Sequence, residues 1–548
     1  MKKFLILSSV MLLALAMLLV GCSKSSTTTT ATKSATPTPA STLKPQSGGT
    51  LRIIMTEFGS ASLGLPWKMT GSNTDVVDLI LERLLIQERS GEYTGILAQS
   101  FEWSTDYTTL ILHLRHGVKF QDETDFNSAA VKWNYDQAIA AKSAGYDLIT
   151  STETPDPYTF KIHMAKYDAA LLPMVTAANI NSPYSYMISP TAYQKNGEDW
   201  ANMNPVGTGP FKFKEYKPDN YVLTERFDDY WGGKPYLDAV KSVLIPDAVT
   251  AQLAFESGED EAISIMGKGY LLARDLGPKG YTIDAWPDLK TSLVAASGDP
   301  NKVGVANTGP LGNELVRMAI EYAIDKQKIC DTVFNGYYQP VYQYAPPILR
   351  PAKPDFVPRT YDPVKAKDLL TQAGYPNGFD TTLYCGVHLG GDEIPLIQSY
   401  LNAVGIRTTV EMTTIAKWID METNGWQDGL MISPTGNDPS LANYFSRFWW
   451  TPDAPQWSHG IYWTALYRPP ELQAMLVNFM AEPDSAKQIT MGKDIVSYIS
   501  AHALAIPLWD WVSNEVMQPY LHDARYEAQQ FHRWDYAHAW MELDKIKK

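Results

Sequence analysis

Few residues of this sequence stand at the spacings that bond-breaking chemistry requires. It contains no Gly-x-Ser-x-Gly nucleophile turn, no His-Glu-x-x-His metal motif and no phosphate-binding lysine loop. His113 and His116 lie three apart in a predicted strand, where such side chains point to opposite faces and cannot easily share an ion. The acidic residues 259–261 predict a solvated turn, since adjacent carboxylates on a turn usually face water. They do not predict a calcium site, because calcium loops alternate their ligands along the chain. The sequence therefore predicts no enzyme, no metal and no other cofactor.

Aromatic side chains are the stronger candidates for ligand contact. They make up 12% of the 548 residues and are dense between residues 418 and 463. Trp509 and Trp511 follow on a predicted late strand and, being two apart, face the same side. Flat rings stack on sugars or line apolar pockets, although large aromatics also fill interiors. We predict that some line a ligand cleft, with Tyr444, Trp449, Trp509 and Trp511 as candidates.

The N-terminus predicts the compartment. Lys2 and Lys3 precede an apolar run over residues 4–20, which is typical of an export signal; an uncleaved membrane anchor is the alternative. The run ends in Leu-Val-Gly-Cys, which resembles the lipobox of bacterial lipoproteins and implies lipidation at Cys22 after removal of residues 1–21. Residues 22–47, rich in Ser, Thr and Pro, predict a flexible tether to the cell membrane. The expected location is extracytoplasmic, in the periplasm or on the outer surface.

The body of the chain alternates predicted strands and helices, which indicates an α/β or α+β fold. Period-two patterns predict strands and 3.6-residue patterns predict helices. The predicted strands are residues 51–55, 108–115, 158–164, 406–412 and 505–511, and the predicted helices are residues 73–88, 128–141, 312–334, 470–480 and 484–501. Asn127 and Asp362 are predicted N-caps, with Pro363 in the first turn after Asp362.

Charge and cysteine content exclude further classes. The formal net charge is −14 and no block of five like charges occurs, so we expect no nucleic-acid partner. Cys330 and Cys385 are too few for a disulfide framework and predict two buried thiols, with a single bridge as the minority alternative. The glycine-rich residues 204–210 predict a plain turn, because they lack the helix and spacing of a phosphate cradle.

Ordered short strings along the chain carry a family resemblance. They are residues 48–51 (GGTL), 97–103 (LAQSFEW), 113–120 (HLRHGVKF), 204–211 (NPVGTGPF), 229–236 (DYWGGKPY), 316–325 (VRMAIEYAID), 361–370 (YDPVKAKDLL) and 373–376 (AGYP). Together they resemble the bacterial extracellular solute-binding proteins of family 5, the peptide/nickel class that serves ABC importers. The resemblance covers nearly all of residues 48–548.

The resemblance implies a type II periplasmic-binding-protein-like fold: two lobes around a hinge, with an extra subdomain on lobe I. The implied boundaries are residues 48–90, 186–288 and 502–548 for lobe I, 91–185 for the extra subdomain and 289–501 for lobe II. It also implies a monomeric receptor that closes on a small solute and docks on an ABC permease without breaking a bond. Met55, Phe58 and Trp67 are further candidate ligand contacts.

The solute is less well specified. Peptide-binding members commonly carry Trp-x-x-Asp before an acidic-Pro pair, and that Asp holds the peptide's amino group. Before Asp438-Pro439 this sequence has Ile432 and Thr435 at the matching positions. An ammonium held without a carboxylate is costly, so an amino-anchored peptide is in doubt. An oligopeptide or similar extended solute is the first hypothesis, an oligosaccharide the second and a tethered hydrolase a distant third.

Overall fold

The structure is a computed structural model of the whole chain. The residues it describes are 43–56, 62–69, 74–88, 90–143, 145–176, 183–264, 269–299, 302–345, 357–387, 389, 391–436, 440–449, 463–526 and 534–546. The chain divides into two units, Met1–Lys44 and Pro45–Lys548, and every helix and strand described below belongs to the second.

The described elements alternate between strands and helices along the chain. The strands are β1 (Thr50–Met55), β2 (Glu82–Arg83), β3 (Leu85–Gln87), β4 (Tyr93–Gly95), β5 (Ala98–Trp103), β6 (Thr109–Leu114), β7 (Ile149–Asp156), β8 (Thr159–Met164), β9 (Tyr186–Met187), β10 (Phe211–Lys217), β11 (Tyr221–Arg226), β12 (Ala239–Leu244), β13 (Ala262–Ser264), β14 (Thr282–Ala295), β15 (Gly298–Asp299), β16 (Lys302–Ala306), β17 (Gln339–Pro340), β18 (Phe379–Gly386), β19 (Ile406–Thr413), β20 (Leu430–Gly436), β21 (Ile506–Met517), β22 (Leu521–His522), β23 (Arg525–Tyr526), β24 (Trp534–Asp535) and β25 (Trp540–Met541). The helices are α1 (Thr74–Val77), α2 (Ser128–Ala140), α3 (Leu171–Thr176), α4 (Pro190–Asn196), α5 (Glu198–Ala201), α6 (Ala248–Ser257), α7 (Gly269–Leu276), α8 (Glu314–Ala323), α9 (Lys326–Thr332), α10 (Pro363–Gln372), α11 (Glu393–Ala403), α12 (Ile415–Asn424), α13 (Leu441–Trp449), α14 (Pro470–Met480) and α15 (Ser485–Ala501).

Two long strands, β14 and β21, join the halves of an eleven-stranded mixed sheet. Its order is β10-β11-β12-β1-β13-β21-β14-β20-β18-β19, and β17 pairs with β21 beside this path. The end of β21 pairs with β13, whereas the second half of β14 pairs with β20. The β14–β21 ladder is interrupted between Pro287 and Lys290. A separate four-stranded sheet, β5-β6-β8-β7, lies outside this large sheet.

Several local predictions are confirmed. The period-two segment around residues 108–115 forms β6, and Leu110, Leu112 and Leu114 are all buried. The Asn127 side chain accepts a hydrogen bond from the Ala130 amide at 3.1 Å and so caps α2. Asp362 caps α10 in the same way. These signals succeed because the capping side chain and its partner amide are within one turn of each other.

The predicted helix over residues 73–88 is wrong. Only Thr74–Val77 is helical, and β2 and β3 follow within the same segment. Almost every residue from Val76 to Ile86 is buried, so the apolar pattern has no exposed face that could show a helical period. Arg83 is buried too and binds the Asp78 carboxylate and the Tyr186 hydroxyl, a pairing that sequence spacing does not reveal.

The glycine-rich loop before β10 brings two backbone segments into close contact, with bends and irregular backbone over residues 204–210 in place of the predicted plain turn. A Cβ on Gly207 would lie 2.2 Å from the Ile80 carbonyl oxygen, so only glycine permits this approach of two backbones. The Gln121 amide donates to the carbonyls of Ile80 and Phe211 at 3.1 and 2.8 Å and thereby closes the gap. The loop therefore fastens β10 to the segment that precedes β2.

Other chemistry-bearing residues have structural partners. The acidic turn is not solvated as predicted: Glu261 is fully buried and pairs with Arg52 at 2.8 Å. His116 stacks beside Tyr158 with ring centroids 3.7 Å apart. Cys330 and Cys385 are free and buried, as predicted, and burial raises the pKa of each thiol to about 12. Within the described ranges no cluster of three His, Cys, Asp or Glu side chains could hold a metal ion.

Candidate ligand-binding site

A small cavity opens where the two long strands, β14 and β21, meet four other parts of the fold. It is lined by Thr291 on β14, Trp509 and Trp511 on β21, and Ile432 on β20. Tyr270 on α7, the segment after α9 and the start of α11 complete the wall. The cavity measures about 40 Å³ within about 410 Å³ of space that includes open solvent. A space of this size admits a terminal group of a ligand, since one water occupies about 30 Å³ in the liquid.

Aromatic rings form a continuous wall of this cavity. The Phe334 ring lies 5.2 Å from Trp509 and 5.5 Å from Tyr270, measured between centroids. Tyr338 packs edge-on against Tyr270 at 5.1 Å and stacks with Trp511 at 6.4 Å. These contacts join α7 on one side to β21 on the other. A ring network of this kind can cover the apolar part of a solute while its polar edges stay available for hydrogen bonds.

Two buried polar atoms in the cavity wall have no hydrogen-bond partner in the described structure. They are the indole Nε1 of Trp509 and the hydroxyl Oγ1 of Thr291. The two residues are cross-strand neighbours on β14 and β21, and each is at most 2% exposed. A buried donor without a partner costs about 1–3 kcal/mol. A ligand that supplies an acceptor to the indole and a partner to the hydroxyl recovers this cost.

Glu393 supplies the only carboxylate among the described residues that line the cavity. It stands in the first turn of α11, where the helix dipole favours negative charge, and it is 7% exposed. Its Oε1 accepts a hydrogen bond from the Gly391 amide at 3.0 Å. Burial and then the charges of Glu393 and Asp392 raise the pKa of Tyr270. The cavity wall therefore presents an acidic side chain, a group that a ligand ammonium can contact.

Thr435 belongs to a different face of the sheet. Along β20 the side chains alternate, so Ile432 reaches the cavity and Thr435 points away from it. Thr435 Oγ1 contacts the Lys290 carbonyl oxygen at 3.4 Å. The buried Lys290 ammonium lies over the Tyr344 ring at 5.1 Å and contacts the Tyr444 hydroxyl at 3.3 Å. A fixed cation on this face disfavours a ligand ammonium there.

The remaining sequence candidates are spread over the molecule. Trp449 is fully buried beside Tyr344, at 5.4 Å between ring centroids, and Tyr444 is 1% exposed. Met55 ends β1 in another apolar cluster, and Trp67 packs against Trp133 in that cluster. Phe58 lies outside the described residues. Of the eight candidate ligand contacts, the structure places Trp509 and Trp511 together in the cavity wall.

Sequence reasoning missed Tyr270, Thr291 and Glu393. Their local signals are weak: Glu393 resembles an ordinary acidic residue at a helix start, and Thr291 one of many strand threonines. They lie 21 to 123 positions apart, and only the crossing of α7, β14 and α11 brings them to one cavity. No spacing rule in the sequence connects them.

A buried acid on the Thr435 face predicts pH-dependent stability. Burial raises the pKa of Glu422 from 4.5 to about 7, although the Ser433 hydroxyl, which donates to it, opposes this. A raised acid pKa favours the folded state fully below about pH 4.5, and this contribution is lost as the pH rises through about 7. We expect the free energy of unfolding to fall between about pH 5 and pH 8, with Glu422 contributing about 3 kcal/mol. Urea titrations at both pH values measure it.

The variant Glu422→Gln isolates this group. Glu422→Gln should make the free energy of unfolding depend less on pH. The control Glu471→Gln, which changes an exposed residue, should leave that pH dependence as in the wild type. Asp168, whose pKa burial also raises to about 7, leaves a residual slope of the same sign. An unchanged slope in Glu422→Gln would show that this carboxyl does not titrate as described.

Comparison with solved structures defines the fold. DppA from Helicobacter pylori, in complex with peptide STSA, matches with a TM-score of 0.72 and 23% identity, over 91% of this chain and 99% of that one. NikA from Brucella suis, in complex with Fe(III)-EDTA, matches with a TM-score of 0.73 and 21% identity, over 90% and 100%. The fold is that of the type II periplasmic binding proteins, as the resemblance implies.

Sequence comparison then identifies the family. The glutathione-binding protein GsiB of Escherichia coli (strain K12) is 30% identical over 433 residues, which cover 76% of this chain and 80% of that protein. The family model described as bacterial extracellular solute-binding proteins, family 5 Middle, matches residues 92–456. The chain belongs to the family 5 bacterial extracellular solute-binding proteins. In the described residues, none of the helices has the length and apolar character needed to cross a membrane.

Proposed function

We propose that this protein is a lipid-anchored receptor that captures a peptide-like solute bearing a free ammonium group and delivers it unchanged to an ABC importer. One observation carries the choice of solute: the cavity brings the Glu393 carboxylate together with the Trp509 indole and the Thr291 hydroxyl, and neither of the last two has a hydrogen-bond partner among the described residues. The carboxylate matches an ammonium, and the indole donor matches a carbonyl or carboxylate oxygen. A peptide carries these groups at its amino end.

The lobes meet at this cavity in our proposal. Lobe I comprises residues 48–90, 186–288 and 502–548, the extra subdomain 91–185 and lobe II 289–501. Tyr270 then belongs to lobe I and Glu393 to lobe II. The break in the β14–β21 ladder between Pro287 and Lys290 supplies a bending point, because fewer hydrogen bonds resist rotation there. Ligand binding shifts the receptor toward its closed form by adding contacts to both lobes.

The N-terminal sequence is the basis for the proposed lipid anchor and for a permease partner at the same membrane. Cys22 carries the lipid, and residues 22–47 allow the body to reach a permease at the same membrane. Two relatives support the solute class: GsiB is a glutathione-binding protein, and DppA was solved in complex with the peptide STSA. An oligosaccharide suits this cavity less well, because it brings no cation to Glu393. We propose a monomer as the binding unit.

A thermal-shift experiment tests this function. The purified protein is heated with glutathione, with the peptide STSA, or with their N-acetylated forms, each over a range of concentrations. A solute at 100 times its dissociation constant adds about 2.7 kcal/mol of stability, so the free-amine forms should raise Tm measurably. Acetylation should remove most of this rise. Mass spectrometry should recover the solute intact.

Two outcomes would overturn the proposal. Equal shifts with free and acetylated solutes would remove the role of the ammonium. Conversion of any solute by the purified protein would show an enzyme instead of a receptor.

A further inference from the structure

A second, larger cavity is present besides the one that contains Glu393, which we call the interlobe cavity. It has a volume of about 630 Å³ and shares no lining residue with that cavity. One wall comes from β3, β4, β5 and the segment before α3, and the other from the first residues of α13 and α15. The Ala169 amide donates to the Met480 carbonyl at 2.9 Å and so joins the first wall to the end of α14, just before the lining residue Pro483. Small-molecule sites typically enclose about 300–1,000 Å³, so this groove has the size of a ligand site.

Four partly exposed aromatic rings line one wall of this groove, which we call the aromatic groove. Phe101 and Trp103 stand two apart on β5 and therefore face the same side. Tyr93 lies edge-on to Phe101 with centroids 5.9 Å apart, and Tyr167 lies edge-on to Trp103 at 5.4 Å. All four are only partly buried, so ring surface stays open to solvent. Rings held in this way by one another offer rigid, flat apolar surfaces.

The polar groups of the aromatic groove are mainly neutral. Gln87 and Gln488 contribute planar amides, and the Gln488 amide donates to the Tyr167 hydroxyl at 3.3 Å. Ser440 and Ser485 stand at the starts of α13 and α15. Glu92 is the one charged side chain among the described lining residues, and no lysine or arginine accompanies it. A ligand with an anionic group therefore finds no counter-charge on these side chains.

We infer that the aromatic groove binds a neutral oligosaccharide, at a site separate from the one that takes the transported solute. Sugar rings present apolar C–H faces that stack on aromatic side chains, and their hydroxyl groups both donate to and accept from amides, serines and a carboxylate. The inference does not depend on the solute proposed for the interlobe cavity.

Titration of the purified protein with cello-, malto- and chitooligosaccharides, followed by calorimetry, tests this inference. One of these series should bind. Trp103→Ala should weaken that binding about tenfold, and Gln488→Leu should weaken it while leaving the ring wall in place. Trp200→Ala is the matched control, since Trp200 is an exposed tryptophan on α5, outside the groove, and should bind as the wild type does. Glu393→Gln should also bind normally, which separates the two sites.

The inference fails if none of the three series binds. It also fails if the affinity survives both Trp103→Ala and Gln488→Leu, or if Glu393→Gln abolishes it, because the sugar would then occupy the interlobe cavity. Unchanged circular dichroism and Tm in Gln488→Leu keep the result interpretable if Trp103→Ala does not fold.

Discussion

Replacing Glu393 by glutamine should weaken binding of a free-amine solute by about 10- to 100-fold. Hydrogen bonds to charged groups contribute about 1.5–3 kcal/mol to binding. Glu393 is 7% exposed, so water screens its contact with a ligand ammonium only weakly. The shape of the side chain is nearly conserved, so the loss reports the charge. Fluorescence titration can measure it, because Trp509 and Trp511 line the same cavity.

Combining Glu393→Gln with N-acetylation of the solute tests whether the carboxylate and the ammonium contact each other. N-acetylation of the solute removes the ammonium, so it should weaken binding to the wild type but change binding to Glu393→Gln much less. The matched control is Asp392→Asn, which removes the adjacent, exposed carboxylate and should leave the affinity within about twofold of wild type. Equal losses in both variants would mean that the general negative field, and not contact with Glu393, selects the solute.

Replacing Glu321 by glutamine should lower the free energy of unfolding by about 3–5 kcal/mol, because it removes the carboxylate that faces two buried cations. The Glu321 carboxylate on α8 accepts from the Arg359 guanidinium at 2.9 Å and from the Lys326 ammonium at 3.5 Å. All three side chains are at least nine-tenths buried. Arg359 also donates to the Ser500 and Ala501 carbonyls at 2.7 and 2.8 Å, so the network ties α8 to the end of α15.

Urea denaturation measures this loss, and the same helix provides the control. Glu314, also on α8, pairs with His502 at 2.8 Å but is 42% exposed. Glu314→Gln should therefore cost less than about 1 kcal/mol. A cost for Glu321→Gln as small as this would mean that water reaches the network and that it does not hold α8 against α15.

Local features of the fold were predictable because their causes lie within a few residues. A capping Asn or Asp and its amide partner share one helical turn, and a half-buried strand such as β6 shows its period directly. The segment over residues 73–88 was not predictable in this way. Burial on all sides removed the polar face that distinguishes a helix from strands, and partners such as Tyr186 lie about 100 positions away.

The candidate site was only half predictable. The spacing of Trp509 and Trp511 on one strand correctly placed them on one face of that strand. Because side chains alternate between the two faces of a strand, Ile432 and Thr435 on β20 lie on opposite faces. The threonine therefore contacts Lys290 on the side of the sheet away from the cavity. Tyr444 and Trp449 are buried on that side as well. An aromatic residue in a dense region carries no local sign of whether it lines a cavity or fills a core.

The sequence by itself determined the family of this protein and showed that familiar catalytic motifs are absent from it, because each of these is a matter of contiguous residues. Only the tertiary structure decided which side chains line the cavity. Glu393 and Tyr270 meet Thr291 and Trp509 where two long strands cross from one half of the sheet to the other. The physical reason is distance along the chain: electrostatics and burial depend on neighbours in space, and a linear order of residues does not contain them.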